Sequence, residues 1–387
     1  MSSAHHVGRH VLTLLHTGAD YFPRLIAAID SATESIYLET YIFADDTIGR
    51  RVAEAMQRAA QRGVRTHLMM DGFGSAGFSP ARMEELRATG VQVLKFRPEI
   101  SWLTLRRQRL RRLHRKLVVV DDRIAFIGGI NITDDLPDNG LGQPRLDYAV
   151  EVQGEIVPRI QVSMRRLWTL VSWTNFRRQR ERISWRPITG RQRRVAFLLR
   201  DNLRHRRDIE QAYVRAINAA KREILLANAY FLPGRDFRQA LQQAAERGVK
   251  VTLLLQGQIE YRLQHYATLA LYDDLLSAGI EIYQYRASFL HAKVAVVDGR
   301  WATVGSSNIE PFSLWLAREA NLAVSDRGFA AALRASLLDE IEQGAKRVEP
   351  SAWKRRGLWV RIVSRVSLGM MRVLTSLIGF ARGQDDV

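Results

Sequence analysis

Two histidines, two lysines and two asparagines recur along this chain in one pattern. His114-Arg115-Lys116 is followed by an apolar run, Asp121 and then Gly128-Gly129-Ile130-Asn131. His291-Ala292-Lys293 is followed by an apolar run, Asp298 and then Gly305-Ser306-Ser307-Asn308. Both copies read H-x-K-x4-D, with a glycine seven and an asparagine ten residues after the aspartate. Paired histidines suit a reaction that needs a nucleophile and a leaving-group acid, and two ammonium groups with two amides could converge on one phosphate. Taken singly, each residue has a plainer reading: a satisfied histidine, a solvated lysine, an asparagine in a turn. Six of them in matched register argue for one shared site. The H-x-K spacing supplies no second metal ligand and lysine is a poor one, so neither a metal nor another cofactor is expected.

The elements that would position these residues are duplicated too. Ser35 to Phe43 resembles Glu223 to Phe231, and each reads as a buried strand. Helical spacing follows in Val52 to Arg62 and in Phe237 to Arg247, each ending in Arg-Gly-Val with glycine as the stop. Further strands are predicted at Arg65 to Met70 and Lys250 to Leu255, then a helix and strand over Glu84 to Phe96 and over Tyr272 to Tyr285. The fold class is therefore α/β, built twice, with mixed sheets. Leu117 to Val120 and Val294 to Val297 are short apolar runs expected of strands covered on both faces. Residues two apart on a strand share a face, so His114 lies with Lys116 and His291 with Lys293, while Arg115 and Ala292 point away. The small residues Gly128-Gly129 and Gly305-Ser306 could let backbone approach a phosphate or form simple tight turns; both readings stand at this point.

The halves differ before the histidines. Seventeen residues separate Phe96 from His114 but only five separate Tyr285 from His291. The longer segment contains Trp102, Leu103, Leu105, Arg106, Arg107, Arg109, Arg111 and Arg112 and reads as a basic insertion at the mouth of the site. The expected organisation is a first half at 1–176, a basic linker at 177–194, a second half at 195–349 and a tail at 350–387.

At 387 residues the chain is long enough for two such halves. Lysine plus arginine total 58 against 40 acidic residues, a net charge of +18 that favours an anionic partner such as nucleic acid or acidic phospholipid. The chain has no cysteine, which excludes disulfides and cysteine-ligated zinc. The first twenty residues do not read as a signal peptide, and no apolar window reads as a spanning helix.

The doubled H-x-K-x4-D with its trailing Gly and Asn, inside this α/β repeat, resembles the phospholipase D superfamily over nearly the whole chain. That resemblance implies two halves related by a pseudo-twofold, with the active site between them. It also implies a two-step displacement at phosphorus through a phosphohistidine. His114 is taken as the nucleophile and His291 as the acid and base, although near-symmetry allows the reverse. Lys116, Lys293, Asn131 and Asn308 would hold the non-bridging oxygens. Each histidine needs a partner to fix its tautomer, and Asp147 and Glu319 sit in similar contexts downstream. Asp147 is expected to serve His114, and Glu319 to serve His291. Asp121 and Asp298 follow their strands and are expected to be structural.

The tail favours lipid over other phosphodiesters. Trp359, Ile362, Val363, Val366, Met370, Val373, Leu374, Leu377 and Phe380 recur at helical spacing. Arg361, Arg365 and Arg372 form an opposing stripe, Lys354, Arg355 and Arg356 precede them, and no acidic residue occurs from Pro350 to Gln384. That pattern suits a helix lying in an anionic interface, whereas a helix docked on the protein rarely needs so many unpaired cations. Trp102 with the arginines after it would make a second contact, to which Trp168 and Trp173 could add. Within the superfamily the chain resembles bacterial cardiolipin synthases without amino-terminal spanning helices. The quoted likeness lies in length, Tyr41-Ile42-Phe43-Ala44-Asp45-Asp46, Asn228-Ala229-Tyr230-Phe231-Leu232-Pro233 and the basic tail. The resemblance implies transfer of a phosphatidyl group to phosphatidylglycerol by a peripheral protein on the cytoplasmic face of the bacterial inner membrane. Tyr41, Tyr230 and Phe231, at the ends of their strands, would line the head-group pocket or equally be core aromatics. The rivals are a phospholipase D-type hydrolase, a nuclease of the same superfamily whose partner is nucleic acid, and a binding module that has lost catalysis, against which both intact His-Lys pairs argue.

Overall fold

The computed structural model describes residues 3–97, 111–134, 144–174, 194–201, 205–310 and 317–380. The first half contains strands β1 (Ala4–Val7), β2 (His10–His16), β3 (Ser35–Thr40), β4 (Arg65–Asp71), β5 (Gln92–Phe96), β6 (Arg112–Leu113), β7 (Lys116–Val120), β8 (Ile124–Gly128) and β9 (Tyr148–Gly154). Its helices are α1 (Thr17–Asp30), α2 (Thr47–Gln61), α3 (Pro80–Ala88) and α4 (Val157–Thr174). The second half contains β10 (Val195–Arg200), β11 (Glu223–Asn228), β12 (Lys250–Gln256), β13 (Glu281–Tyr285), β14 (Lys293–Val297), β15 (Trp301–Gly305), β16 (Ala317–Ser325) and β17 (Ala345–Arg347). Its helices are α5 (Asp208–Ala219), α6 (Arg235–Glu246), α7 (Arg262–Leu269), α8 (Tyr272–Ser277) and α9 (Arg327–Gly344), followed by α10 (Pro350–Lys354) and α11 (Leu358–Phe380).

One sheet runs β1-β2-β9-β8-β7-β3-β4-β5 and the other β10-β16-β15-β14-β11-β12-β13-β17. The six-strand stretch β9-β8-β7-β3-β4-β5 has its counterpart, strand for strand, in β16-β15-β14-β11-β12-β13. In each, the first-entered strand pairs parallel with the strand after its crossover helix and antiparallel with the histidine strand. The duplication expected from the sequence is thus present as topology, and both sheets are mixed. The glycines expected to stop the crossover helices do so: Gly63 and Gly248 follow α2 and α6 at φ 88° and 83°, a conformation that costs glycine little.

The two sheets pack against each other through one core. Leu117, Val119, Ile127 and Val150 of the first meet Leu225, Val294, Val296, Val304 and Leu322 of the second, with α4 and α9 closing its edges. Separate cores lie between each sheet and its outer helices. Covered on both faces, β7 and β14 are apolar after the lysine that starts each, and all five residues of each strand are buried.

Candidate active site

Both histidines sit two residues before the lysine that starts their strand, at the junction of the two sheets. His114 N–H donates to the carbonyl of Arg318 in the second half, and His291 N–H donates to the carbonyl of Leu146 in the first. Each histidine-strand entrance is therefore anchored on the opposite half. The two-residue strand β6 pairs parallel with β16, and Leu146 bridges Leu290, so the anchoring is itself duplicated.

His114 Nδ1 lies 2.8 Å from Glu319 Oε1, and His291 Nδ1 lies 2.6 Å from Asp147 Oδ2. The expected pairing is corrected here: Asp147 serves His291 and Glu319 serves His114, each across the interface. The reason is topological. The carboxylates sit at the starts of β9 and within β16, and the facing sheets bring each against the histidine of the other half rather than its own. At these distances an Nδ1–H donates to the carboxylate and leaves Nε2 outside that bond. Ser306 donates to the second oxygen of Glu319. Gly129, the matching position, makes room for Asp147: a Cβ there would lie 2.3 Å from Asp147 Oδ1. The small residues after each strand thus accommodate the histidine's carboxylate partner.

Lys116 and Lys293 are buried, and each ammonium donates to the carbonyl of its own motif histidine, at 2.7 Å for Lys116. Burial pushes Lys116 down to about 7, opposed by Glu319, and Lys293 down to about 8, opposed by Asp147. Burial also lowers both imidazoles; Glu319 opposes this at His114, while Lys293 and Lys116 drive His291 well below its ordinary value. Burial raises Asp147 to about 6, whereas Glu319, although burial pulls it upward, is held below the usual carboxylate range by His114. The two buried ammonium groups are thus balanced chiefly against the two buried carboxylates.

Asn131 and Asn308 are buried at the base of the same cavity, which has a volume of about 310 Å³ and is lined by both histidines. Asn131 Oδ1 accepts from Ile42 N–H, and Asn308 Oδ1 has no partner. Tyr41 and Tyr230 line this cavity. Tyr41 lies 4.9 Å from the His114 ring, with the Lys116 ammonium 5.4 Å above its own ring. Phe231 does not line it: 1% exposed, it belongs to the outer core of the second half, where its backbone bridges Ile309 and its ring packs edge-on to Phe237.

Asp121 and Asp298 lie away from the cavity, at positive φ, and their carboxylates accept backbone N–H groups. Asp121 takes those of Thr33, Glu34 and Ser35; Asp298 takes those of Lys221, Arg222 and Glu223. Arg115 points away from the cavity as alternation requires, into a bidentate pair with buried Glu39. The matching positions in the second half are Ala292 and Ala227, so charge and partner are present or absent together, as a buried pair demands.

Sequence reading missed several groups here. Asp71 Oδ2 accepts the N–H of Leu113, and Gln256 Oε1 accepts the N–H of Leu290, so the residue before each histidine is tied to the end of a parallel strand. Laying Met70-Asp71 over Leu255-Gln256 would have shown these matched polar ends. Arg145, Glu260, Tyr261, Gln264 and Glu310 also line the cavity; no spacing rule marks them, since loops carry most of them there. Arg112, of the basic segment expected at the mouth of the site, lines it too.

The tail helix α11 packs along α7, the helix that follows Tyr261 at the cavity rim. It buries Ser364, Ser367 and Met371 and leaves Trp359, Ile362, Val366, Met370 and Val373 exposed, Trp359 by 74%. Lys354, Arg355, Arg365 and Arg372 are exposed. Arg356 makes a bidentate pair with Asp273 and lies 4.1 Å over the Trp353 ring, and Arg361 is half-buried and donates to the Lys354 carbonyl. Trp168 is 5% exposed and packs edge-on to His67. Trp102, Arg106 and Arg107 lie outside the described residues, as do the side chain of Trp173 and most of the expected linker.

This arrangement brings the paired histidines and lysines of a duplicated fold to one cavity between its halves. A family model described as cardiolipin synthase, PLD-like domain, matches residues 25–168 and 213–340. Cardiolipin synthase B of Salmonella typhi is 38% identical over 379 residues, covering 95% of this chain and 89% of that protein. Cardiolipin synthase B of Escherichia coli strain K12 is 36% identical over 370 residues, with the same coverages. Among solved structures, the phosphatidylserine synthase of Haemophilus influenzae Rd KW20 superposes with a TM-score of 0.72 at 14% identity, covering 95% of this chain and 94% of its own, which shows the shared fold.

The chain belongs to the cardiolipin synthase family of the phospholipase D superfamily. It is accordingly an enzyme of the phosphatidyltransferase and phosphodiesterase class.

Proposed function

We propose that the protein is a cardiolipin synthase-like phosphatidyltransferase, with an N-terminal half at 1–176, a basic linker at 177–194, a C-terminal half at 195–349 and a membrane-binding tail at 350–387. Its substrates are phospholipids in an anionic membrane surface to which it binds peripherally. Nε2 of His114 attacks the phosphorus of the donor, the bond to the head-group oxygen breaks, and His291, which takes up a proton against its lowered proton affinity when the bound phosphodiester offsets the Lys293 and Lys116 charges, gives that oxygen this proton. Neutral His291 then takes the proton of the phosphatidylglycerol hydroxyl, whose oxygen attacks phosphorus and displaces His114. Lys116, Lys293, Asn131 and Asn308 face the non-bridging oxygens and offset the charge that develops there. Glu319, held ionised, supports His114 as the nucleophile, because its ring becomes cationic when phosphorylated. Head-group alcohol, glycerol when phosphatidylglycerol is the donor, leaves.

The observation that carries this reading is the cavity between the halves, lined by two histidines that each have a carboxylate from across the interface. The exposed apolar stripe of α11 beside it favours lipid. Among the described residues no helix is long and apolar enough to cross a membrane. The test is to incubate purified protein with phosphatidylglycerol vesicles and, separately, with single-stranded DNA. Cardiolipin and glycerol are expected, and His114→Ala and His291→Ala should each lose at least about a hundredfold in rate. Phosphatidic acid alone would favour the hydrolase, and cleaved DNA with untouched lipid would overturn the reading.

A further inference from the structure

The cavity's two walls are not alike. On the second-half side stand Tyr230, Glu260, Tyr261, Gln264, Asn308 and Glu310. Tyr230 Oη donates to Glu260 at 2.5 Å, and Gln264 Nε2 donates to Glu310 at 3.0 Å. The matching positions of the first half carry no charge. Ser75 stands where Glu260 does, by the overlay of Asp71 on Gln256. Thr133 follows Ile132 as Glu310 follows Ile309, and those isoleucines make equivalent bridges to Phe43 and Phe231. The reacting phosphate needs only the duplicated groups. Whatever breaks the symmetry must serve a part of the substrate that is itself on one side of the phosphorus.

Two carboxylates would repel a phosphodiester, so their side of the cavity suits a group that donates hydrogen bonds. A second feature points the same way. Asn308, 4% exposed, presents an Oδ1 with no donor, and Gln264 Oε1 is likewise buried without one. Orphaned acceptors of this kind are costly unless a ligand supplies the donor. Arg145 lines the same cavity, and its charge acts on Tyr261 and Lys293, so a cationic head group would meet repulsion there. Burial and Glu260 raise Tyr230 far above its ordinary value, which keeps its hydroxyl protonated and donating.

We infer that this wall is the head-group subsite and that it takes a polyhydric alcohol, whose hydroxyls donate to Glu310, Glu260 and the free amide oxygens of Gln264 and Asn308. The inference rests on the phosphatidyltransferase reading and assigns the alcohol side of that reaction. It makes Glu310 and Glu260 specificity-determining groups: a monohydric alcohol reaches phosphorus but cannot satisfy them.

Competition in one vessel tests it. The full-length protein acts on phosphatidylglycerol vesicles with deuterated glycerol, ethanol and ethanolamine present together, and mass spectrometry reads the ratio of new phosphatidyl products. Glu310→Gln and Glu260→Gln should each lower the glycerol-to-ethanol ratio at least tenfold. The ratio is internal to each reaction, so a partly folded preparation gives the same value. An unchanged ratio in both variants would overturn the inference, as would a loss that falls on ethanolamine and spares glycerol. Wild-type protein that transfers to none of the alcohols would instead overturn the phosphatidyltransferase reading beneath it.

Discussion

Lys116 and Lys293 show how a site for an anion is made from residues that resist burial. Each ammonium is held out of water, donating to a carbonyl and facing carboxylates that belong to the histidines. The cost of burying them appears as depressed proton affinity, and a bound phosphodiester would offset it. The sign follows directly. In the free protein Lys116 loses its proton as pH rises through about 7 and Lys293 through about 8. Bound phosphate favours the charged form and moves both upward. Loss of kcat/KM on the alkaline side should therefore begin near neutrality, while kcat persists to higher pH. Rate profiles against pH on phosphatidylglycerol vesicles measure both, and an alkaline limb of kcat/KM that begins only above about 9 would contradict the buried-ammonium account. The types and spacing of these six residues were legible in the sequence. Which carboxylate meets which histidine was not, because similar local contexts pointed each to its own half.

At the scale of elements, the loop–strand junctions carry a device that the motif's own letter names. Asp121, at φ 52°, gathers three backbone N–H groups at the entrance to β3 and ties the far end of β7 to them. Burial pulls its carboxyl upward, but those N–H groups hold it below the usual range. A depressed folded value means the contribution is complete above the unfolded value near about 3.9 and is lost as pH falls through the folded one. Asp121→Asn puts an amide N–H₂ against N–H donors and should cost about 1–3 kcal/mol. The expected result is a lower Tm with turnover per folded molecule retained at a temperature where both proteins are folded; normal stability with abolished turnover would place Asp121 in the chemistry instead. Helices α2 and α6 were legible for a similarly local reason, since their apolar spacing and terminal glycines are set within a single element. The hairpin β1-β2 was not read, because its short strands show little alternation and its pairing with β9 is long-range.

For the whole molecule the decisive feature is that two sheets share one core and place the reaction at their seam. A consequence is that α11 is neither a free tail nor a wholly buried helix. Its serine and methionine face docks on α7, and its apolar stripe remains outward beside the cavity mouth. The arginine stripe lies about a third of a turn from that apolar stripe, as 3.6 residues per turn requires, rather than directly opposite. Replacing Trp359 and Val366 with glutamate should leave the fold intact, because neither is buried, and release the protein from anionic vesicles in a flotation assay. Binding that is unchanged would assign the membrane contact to another surface. Thermal unfolding of the same variant checks that α11 still docks.

The amino-acid sequence by itself determined the duplication, the α/β class, the two H-x-K pairs with their asparagines and the structural place of the motif aspartates. These are written in local periodicity and spacing, which act within an element or between neighbours. Only the tertiary structure decided that the carboxylate partners cross between halves, that Phe231, Trp168 and Arg356 turn inward, and that one wall of the cavity alone is acidic. Those outcomes depend on which sheet face meets which, and that contact joins residues up to 205 positions apart, far beyond any pattern a local reading can follow.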